Sequence, residues 1–548
     1  MLKPIAKPMP QLQTICLRHI AGAIVALMIF FPSTTLLAQQ DNGTPRPVFD
    51  ETFLHWPTQL KINGRVIVNN GMTDFDSVER QLRQVLRGKT IAFSNEDDAL
   101  GEQMKSLADE KNFSTPKCET TELRSALENA KNIYLPANSF SASDCVELKD
   151  QFILFIERGG NLILDGSLAE TLGSIRADAT PGMNLIPDCW LDTSFDGSES
   201  SKQKLAEGIA SKAKTVGIGI EKKTMLTFSG RQLFALGGGS ATLAIAANET
   251  EPADFQKLGA QRSRNRPPMA DLTQWRRRAI DRSLSPFPPK KPKTPVVDKG
   301  TLYIVGGGGM PKGLMAQMIK EAGGLENAKC VYIPCSESDD VGQRQRTVTR
   351  WKRMGVKHAT FIHTKDRNKS NTDEEFLAPL KDATMLWFGG GRQWNFADSY
   401  YGTKAHKLMK DVLHRGGVIG GSSAGASIQG RFLARATPIG NSNILAPGYM
   451  RGGLGFLSGV AIDQHFSQRG RQKDMTKLVE KYPQMLGIGI DESTAIIVRK
   501  SRAEVVGTGK VFFYNRNIAV EEGKPDYTAV SAGGVYDLLK REVINDAD

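Results

Sequence analysis

Gly421-Ser422-Ser423-Ala424-Gly425 places a serine between two glycines at the spacing of a nucleophile elbow. The apolar run Val418-Ile419 leads into it, and residues that can start a helix follow. A serine on such a strand-to-helix turn has a strained backbone. The flanking glycines are needed because a side chain there would strike the neighbouring strand. The turn lifts the hydroxyl out of the sheet and aims the free N–H groups of the next helix at whatever bonds to it. The chemistry this suits is acyl transfer. Glycine-rich turns after strands also occur in phosphate sites and in turns that bind nothing, so the motif needs a base and an acid elsewhere in the chain.

A serine becomes an effective nucleophile when a base takes its proton. His465, in Val460-Ala-Ile-Asp-Gln-His-Phe, is the histidine with a polar setting. On a strand, Asp463 and His465 share one face and Gln464 takes the other. An α/β-hydrolase would place the third member, a carboxylate, between serine and histidine. Only Asp463 stands there, two residues before His465, which is awkward for reaching the ring from behind. The next acids in a promising setting are Asp491 and Glu492, in the turn after 486–490. Chain order favours Ser…His…Glu and argues against the α/β-hydrolase fold. There is no His-Glu-x-x-His, no Cys-x-x-Cys and no Walker loop, so neither a metal nor an organic cofactor is expected.

These residues need strands and helices to position them. Short β-rich apolar runs at 302–305, 330–333, 359–362, 385–388 and 418–419 alternate with helical segments at 312–322, 343–354, 374–380 and 405–415. Alternation of this kind implies a parallel sheet with helices on both faces. The segment 461–514 is mostly strands and adds an irregular or antiparallel part. The chain also echoes itself. Gly487-Ile-Gly-Ile-Asp-Glu-Ser-Thr matches Gly217-Ile-Gly-Ile-Glu-Lys-Lys-Thr, and the block 453–466 aligns without gaps to 182–195. Arg415-Gly-Gly echoes Arg158-Gly-Gly, and 328–340 echoes 88–98. In these alignments Ser194 stands at His465 and Lys222 at Glu492, and Asp165-Gly-Ser-Leu-Ala replaces the elbow. The first copy is therefore expected to be catalytically silent.

The 548 residues are too many for one ordinary core. The expected organisation is a signal peptide at 1–38, an extension at 39–59, a silent domain at 60–250, a basic Pro-rich linker at 251–297 and a live domain at 298–548. Lys3, Lys7 and Arg18 precede the apolar run 20–31 and the small-residue exit ending at Ala38. That pattern predicts export to the periplasm or beyond, with an uncleaved membrane anchor as the lesser reading. Much of the net charge of +12 falls between Lys257 and Lys299, in a stretch expected to be a solvated linker. Its scarcity of aromatics argues against nucleic acid as a partner. Cys16 leaves with the signal. Of Cys118, Cys145, Cys189, Cys330 and Cys335, an exported protein could pair Cys118 with Cys145.

The blocks Phe388-Gly-Gly-Gly-Arg-Gln, Gly421-Ser-Ser-Ala-Gly-Ala, Ile462-Asp-Gln-His-Phe-Ser-Gln-Arg-Gly-Arg and Gly487-Ile-Gly-Ile-Asp-Glu-Ser-Thr-Ala resemble the cyanophycinase and peptidase E family of serine peptidases. The resemblance implies two tandem copies of a class I glutamine amidotransferase-like three-layer α/β/α sandwich with a mostly parallel sheet. It implies Ser423 as nucleophile, His465 as base and Glu492 as acid. Another assignment in the family puts an acid between serine and histidine, where this chain has Asn441. The oxyanion would meet the N–H groups of Ala424, Gly390 and Gly391. Cyanophycinase members release β-aspartyl-arginine units from cyanophycin, and their pocket corresponds to Gln393, Asp463, Gln464, Arg469 and Arg471. A guanidinium there suits the free α-carboxylate of a β-linked aspartyl unit, and Asp463 suits a substrate amine or guanidinium. A further pocket arginine of the family is replaced by Asp474. The expected partner is a peptide or polyamide with a β-aspartyl unit, and the two copies form a pseudo-dimer or the chain a homodimer. A dipeptidase of the peptidase E kind and a non-enzymatic envelope binding protein are the competing readings.

Overall fold

In the computed structural model the chain is described over residues 56–544, apart from 58, 94–97, 177–178, 213, 260–267 and 441–442. The expected signal peptide, nearly all of the extension after it and Asn441 lie outside the described residues.

The apolar runs at 302–305, 385–388 and 418–419 become strands buried on both faces, which suits a parallel sheet covered by helices. Val418–Ser422 lies at the centre, hydrogen-bonded in parallel to Met385–Phe388 on one side and Val297–Val305 on the other. Lys329–Ile333 and His358–Phe361 extend the parallel block outward. Beyond Val297–Val305 the sheet turns antiparallel through Thr494–Lys500 and Arg502–Gly507. Side chains alternate between two cores. Leu302, Ile304, Leu386, Phe388 and Ile419 face one layer, and Tyr303, Val305, Met385, Trp387 and Val418 face the other. Helices Leu314–Glu321, Arg346–Arg353, Glu374–Lys381 and Lys404–His414 fall within three residues of the segments read from periodicity. Thr403 caps the last of them, accepting from His406 N.

A smaller sheet carries the rest of the site. Leu457–Gln464 pairs in parallel with Leu486–Ile490, which pairs antiparallel with Lys510–Tyr514. Gln464 lies opposite Ile490, so the residues that follow both strands emerge side by side.

The first half has the same strand order. Its large sheet runs Gln232–Gly237, Thr224–Ser229, Arg65–Asn70, Asn161–Asp165, Asn132–Leu135, Thr90–Ala92, Phe113–Ser114, with the same parallel and antiparallel senses as its counterpart. Its smaller sheet places Cys189–Asp192 parallel to Val216–Ile220, as Leu457–Gln464 is to Leu486–Ile490.

The segment expected to be a solvated linker is folded where it is described. Asp254–Gly259 is a strand paired with Ser240–Ile245, and Leu272–Arg282 is a helix capped by Asp271. Arg276 and Arg277 are buried. Arg276 Nη2 donates to Asp188 Oδ2 at 2.6 Å, Arg278 pairs with Asp254, and Arg282 Nε lies 2.9 Å from Glu251 Oε2. Carboxylates from other segments neutralise a run that looks solvated when read locally. Cys118 and Cys145 are not paired; Cys118 is exposed and Cys145 buried. Among the described residues, no helix is long and apolar enough to cross a membrane.

Candidate active site

Ser423 follows the last residue of the central strand. The strand's last pairs, Gly421 with Phe388 and Ser422 with Val305, place it at the carboxyl edge of the parallel block, where sites form in open α/β sheets. It caps the short helix Ala424–Ser427 with φ 58° and ψ −115°, the strained backbone an elbow requires. Ser423 N donates to Val305 O at 3.0 Å. A Cβ on Gly425 would come 3.0 Å from the Gly389 carbonyl oxygen, so the helix meets the neighbouring strand only because that side chain is missing.

His465 leaves the strand Leu457–Gln464, and Glu492 stands in the turn after Leu486–Ile490. His465 Nε2 lies 2.9 Å from Ser423 Oγ, and His465 Nδ1 lies 2.5 Å from Glu492 Oε1. Nδ1 faces an acceptor-only carboxylate and so carries the ring proton, leaving Nε2 to accept from the serine. Burial holds the imidazole below the usual histidine range. The hydrogen bond to Glu492 pulls it back up, and Arg469 and Arg471 press it down. The neutral ring is thus the resting form near neutral pH.

Four glycines, Gly306 to Gly309, form the floor beneath these residues. Gly306 O accepts from His465 N at 2.8 Å and Gly307 O accepts from Ser493 N at 2.8 Å. A Cβ on Gly308 would lie 2.5 Å from Glu492 Oε2. Sequence reasoning missed this run. The signal was available, since four consecutive glycines directly after an apolar strand mark a close approach of backbone to something.

Asp491, left open as the acid by the residues alone, serves elsewhere. Its Oδ1 accepts from Ser467 N at 2.9 Å and Ser467 Oγ at 2.6 Å, and its Oδ2 from Lys510 N at 3.1 Å. It anchors the segment after His465.

Asp463 does not face a substrate, contrary to expectation. It is fully buried, with Arg435 Nε donating to Oδ2 at 2.8 Å and Arg471 Nη1 to Oδ1 at 2.8 Å. Arg435 also reaches Asp474 Oδ2 at 2.6 Å, so the acid found in place of a family arginine pairs with an arginine from another element. Arg471 donates further to the Gln464 carbonyl at 2.6 Å and is buried. Gln393 is buried too, its Nε2 donating to the carbonyls of Ala434 at 2.7 Å and Arg435 at 2.9 Å. Asp463, Gln393 and Arg471 therefore build the wall of the site. Gln464 is buried beside them, whereas Arg469 is exposed, with its N–H donating to His465 O at 3.2 Å. Arg435 escaped sequence reasoning because its partners lie 28 and 39 residues away.

Of the expected oxyanion donors, Ala424 adjoins Ser423, and Gly390 borders it closely enough that a Cβ there would lie 3.5 Å from Ser423 Cβ. Gly391 sits one step farther, against Cys335, whose Sγ donates to Arg392 O at 3.0 Å. Among the described residues, no group of three His, Cys, Asp or Glu side chains is placed to hold a metal ion.

In the first half, Asn69 pairs with both Asp165 and Met225, as Val305 pairs with both Ser422 and Ala495. By that register Gly166 occupies the position of Ser423, and its φ of 54° matches. Ser194 donates to Asp192 Oδ1, and Lys222 Nζ donates to Asn70 Oδ1 at 3.0 Å. These three positions hold no nucleophile, base and acid in sequence.

The sequence profile of peptidase family S51 matches residues 302–506. The cyanophycinase of Geminocystis herdmanii is 30% identical over 192 residues, covering 35% of this chain and 70% of the relative. The cyanophycinase of Trichormus variabilis is 27% identical over 252 residues, covering 45% and 84%. Among solved structures, a peptidase from an acI-B1 Actinobacterium is similar at 23% identity, over 44% of this chain and 97% of that one, with a TM-score of 0.33.

Proposed function

This chain belongs to peptidase family S51, and we propose that it is an exported serine peptidase of cyanophycinase type that hydrolyses β-aspartyl or related amide bonds. The observation that carries the reading is the unbroken line from Ser423 Oγ through His465 to Glu492 Oε1. Ser423 Oγ attacks the scissile carbonyl while His465 Nε2 takes its proton. The oxyanion is met by the N–H groups of Ala424 and the Gly390-Gly391 turn, each such donor lowering the barrier by about 3 kcal/mol. The proton passes from His465 to the leaving amine, and water then releases the acyl group by the reverse sequence. Glu492 fixes the ring and stabilises its charged form without being protonated.

Arg469 supports an anionic substrate group. It is exposed beside His465, while Arg471 and Arg435 are engaged by Asp463. A guanidinium there suits the free α-carboxylate that a β-linked aspartyl residue exposes. The N-terminal half is in this reading a catalytically silent relative of the second, with Gly166, Ser194 and Lys222 where the chemistry stands. Export rests on the basic and apolar N-terminal segment.

The test is covalent labelling of the full chain by a serine-directed fluorophosphonate. Ser423 Oγ displaces fluoride from phosphorus and its proton passes to His465. Labelling lost in Ser423→Ala, together with release of amine from β-aspartyl dipeptides, is expected. A folded chain that neither labels nor hydrolyses any β-aspartyl peptide rejects the proposal.

A further inference from the structure

The two halves meet at a buried charge cluster next to the segment that carries the oxyanion glycines. Arg231 stands in the turn between Thr224–Ser229 and Gln232–Gly237 of the N-terminal half. Its Nη1 donates to Asp398 Oδ2, its Nη2 to Tyr449 Oη at 2.5 Å and to Asp271 Oδ1 at 2.9 Å, and its Nε to Asp271 Oδ2. Tyr449 Oη in turn donates to Asp398 Oδ1 at 2.9 Å. The guanidinium carbon lies 4.4 Å from the centre of the Trp394 ring. Burial works against the charge on Arg231, and the Asp398 carboxylate holds it.

Asp398 and Trp394 both lie on the helix Trp394–Tyr400. That helix begins immediately after Gln393 and three residues after Gly391, so it continues the turn facing Ser423. Tyr449 belongs to the loop that leads into Met450–Gly452. The same loop is gripped twice more from the N-terminal half, by Gln274 Nε2 on Pro447 O at 3.0 Å and Arg277 Nε on Gly448 O at 3.1 Å. Asp398, Tyr449 and the triad all fall within the region matched by the family profile, whereas Arg231, Asp271, Gln274 and Arg277 do not.

We propose that the N-terminal half positions the active site of the second half, with Arg231 as the positioning residue that holds helix Trp394–Tyr400 and the oxyanion turn before it in register with Ser423. This rests on the reading of Ser423 as nucleophile. The physical reason is that a fork of guanidinium hydrogen bonds fixes direction as well as distance. Removing it leaves Asp398 and Asp271 buried without their cation, and the helix that carries Asp398 is free to shift. An oxyanion donor displaced by a fraction of an ångström loses its hydrogen bond to the transition state while substrate binding is largely kept.

The experiment measures fluorophosphonate labelling of Ser423 in the full chain, separating kinact from KI. Arg231→Met is expected to lower kinact about tenfold or more, with KI changed by no more than about threefold. Arg231→Lys, which keeps the charge and loses the fork, should recover part of that loss. Tyr449→Phe, which removes the hydroxyl bridging Arg231 and Asp398, is expected to lower kinact about threefold or more. A merely structural role would lower the melting temperature of the variants and leave kinact unchanged where they remain folded. Wild-type kinact in folded Arg231→Met overturns the inference. If that variant does not fold, wild-type kinact in Tyr449→Phe does so. If the folded wild-type chain is not labelled at all, the serine-peptidase reading fails and this inference falls with it, an outcome distinct from labelling that ignores Arg231.

Discussion

Gly307 and His465 stand face to face, so close that a Cβ on the glycine would lie 2.6 Å from the imidazole Nε2. The backbone of Gly307 also has φ +105°, which a side chain disfavours. Gly307→Ala should push the ring off Ser423 and lower the rate of Ser423 phosphonylation about 100-fold, the scale of an ångström of misplacement. Stopped-time labelling of the folded variant checks this, and a wild-type rate would show that the ring does not need that floor.

Glu492 and Asp491 are neighbours with different work. Glu492→Gln should reduce turnover about 10³–10⁴-fold, because the ring loses the group that sets its tautomer and stabilises its charge. Asp491→Asn should instead cost stability, about 1–3 kcal/mol by urea unfolding, because it weakens the bonds to Ser467 and Lys510. Asn441→Ala should leave turnover nearly unchanged. Reversed effects of the Glu492 and Asp491 variants would reassign the acid.

The pH profile follows from His465. The base works when neutral, and burial holds its pKa below the ordinary 6.5. Turnover should therefore rise with pH through a midpoint under that value and then level off. Glu492 favours the charged ring, so Glu492→Gln should move the midpoint lower still. A midpoint above 6.5, from initial rates across pH, would contradict the buried neutral base.

Asp463 lies between Arg435 and Arg471 with no exposure. Asp463→Asn leaves two buried guanidinium groups short of a counter-charge, which should destabilise the fold by about 3–5 kcal/mol. Urea unfolding measures it. A loss near zero would mean that the carboxylate is free to serve substrate after all.

His406 is buried, its Nδ1 accepting from Gly402 N at 3.2 Å and its Nε2 2.8 Å from Leu454 O. That arrangement needs the neutral ring, and burial, with Lys410 adding to it, holds the pKa well below 6.5. Below about pH 6.5 the unfolded chain binds a proton there and the native chain does not, so stability should fall with falling pH by about 1.4 kcal/mol per unit. His406→Gln should flatten that slope, and an unchanged slope would point to other groups.

Much of the frame was legible before the fold was known. The elbow, the Asp-Gln-His-Phe block and the runs that became the parallel block are short, contiguous patterns, and their meaning comes from local backbone geometry. The order of serine, histidine and glutamate along the chain was enough to argue against an α/β-hydrolase. The misreading of 251–297 shows the limit. A run of arginines looks solvated until the carboxylates of Asp188, Asp254 and Glu251 are brought to it.

Local spacing disfavoured Asp463 and left Asp491 and Glu492 adjacent, and the family resemblance pointed to Glu492. Strand pairing supplies the physical reason. Gln464 opposite Ile490 brings the two following turns together, sends Glu492 to the imidazole and leaves Asp491 to the chain beside it. Likewise Asp463 became a buried anchor because Arg435 folds back onto it, and Arg231 reached Asp398 across 167 residues. Hydrogen-bond direction and burial belong to contacts between distant segments, and residue type and spacing along one strand do not carry them.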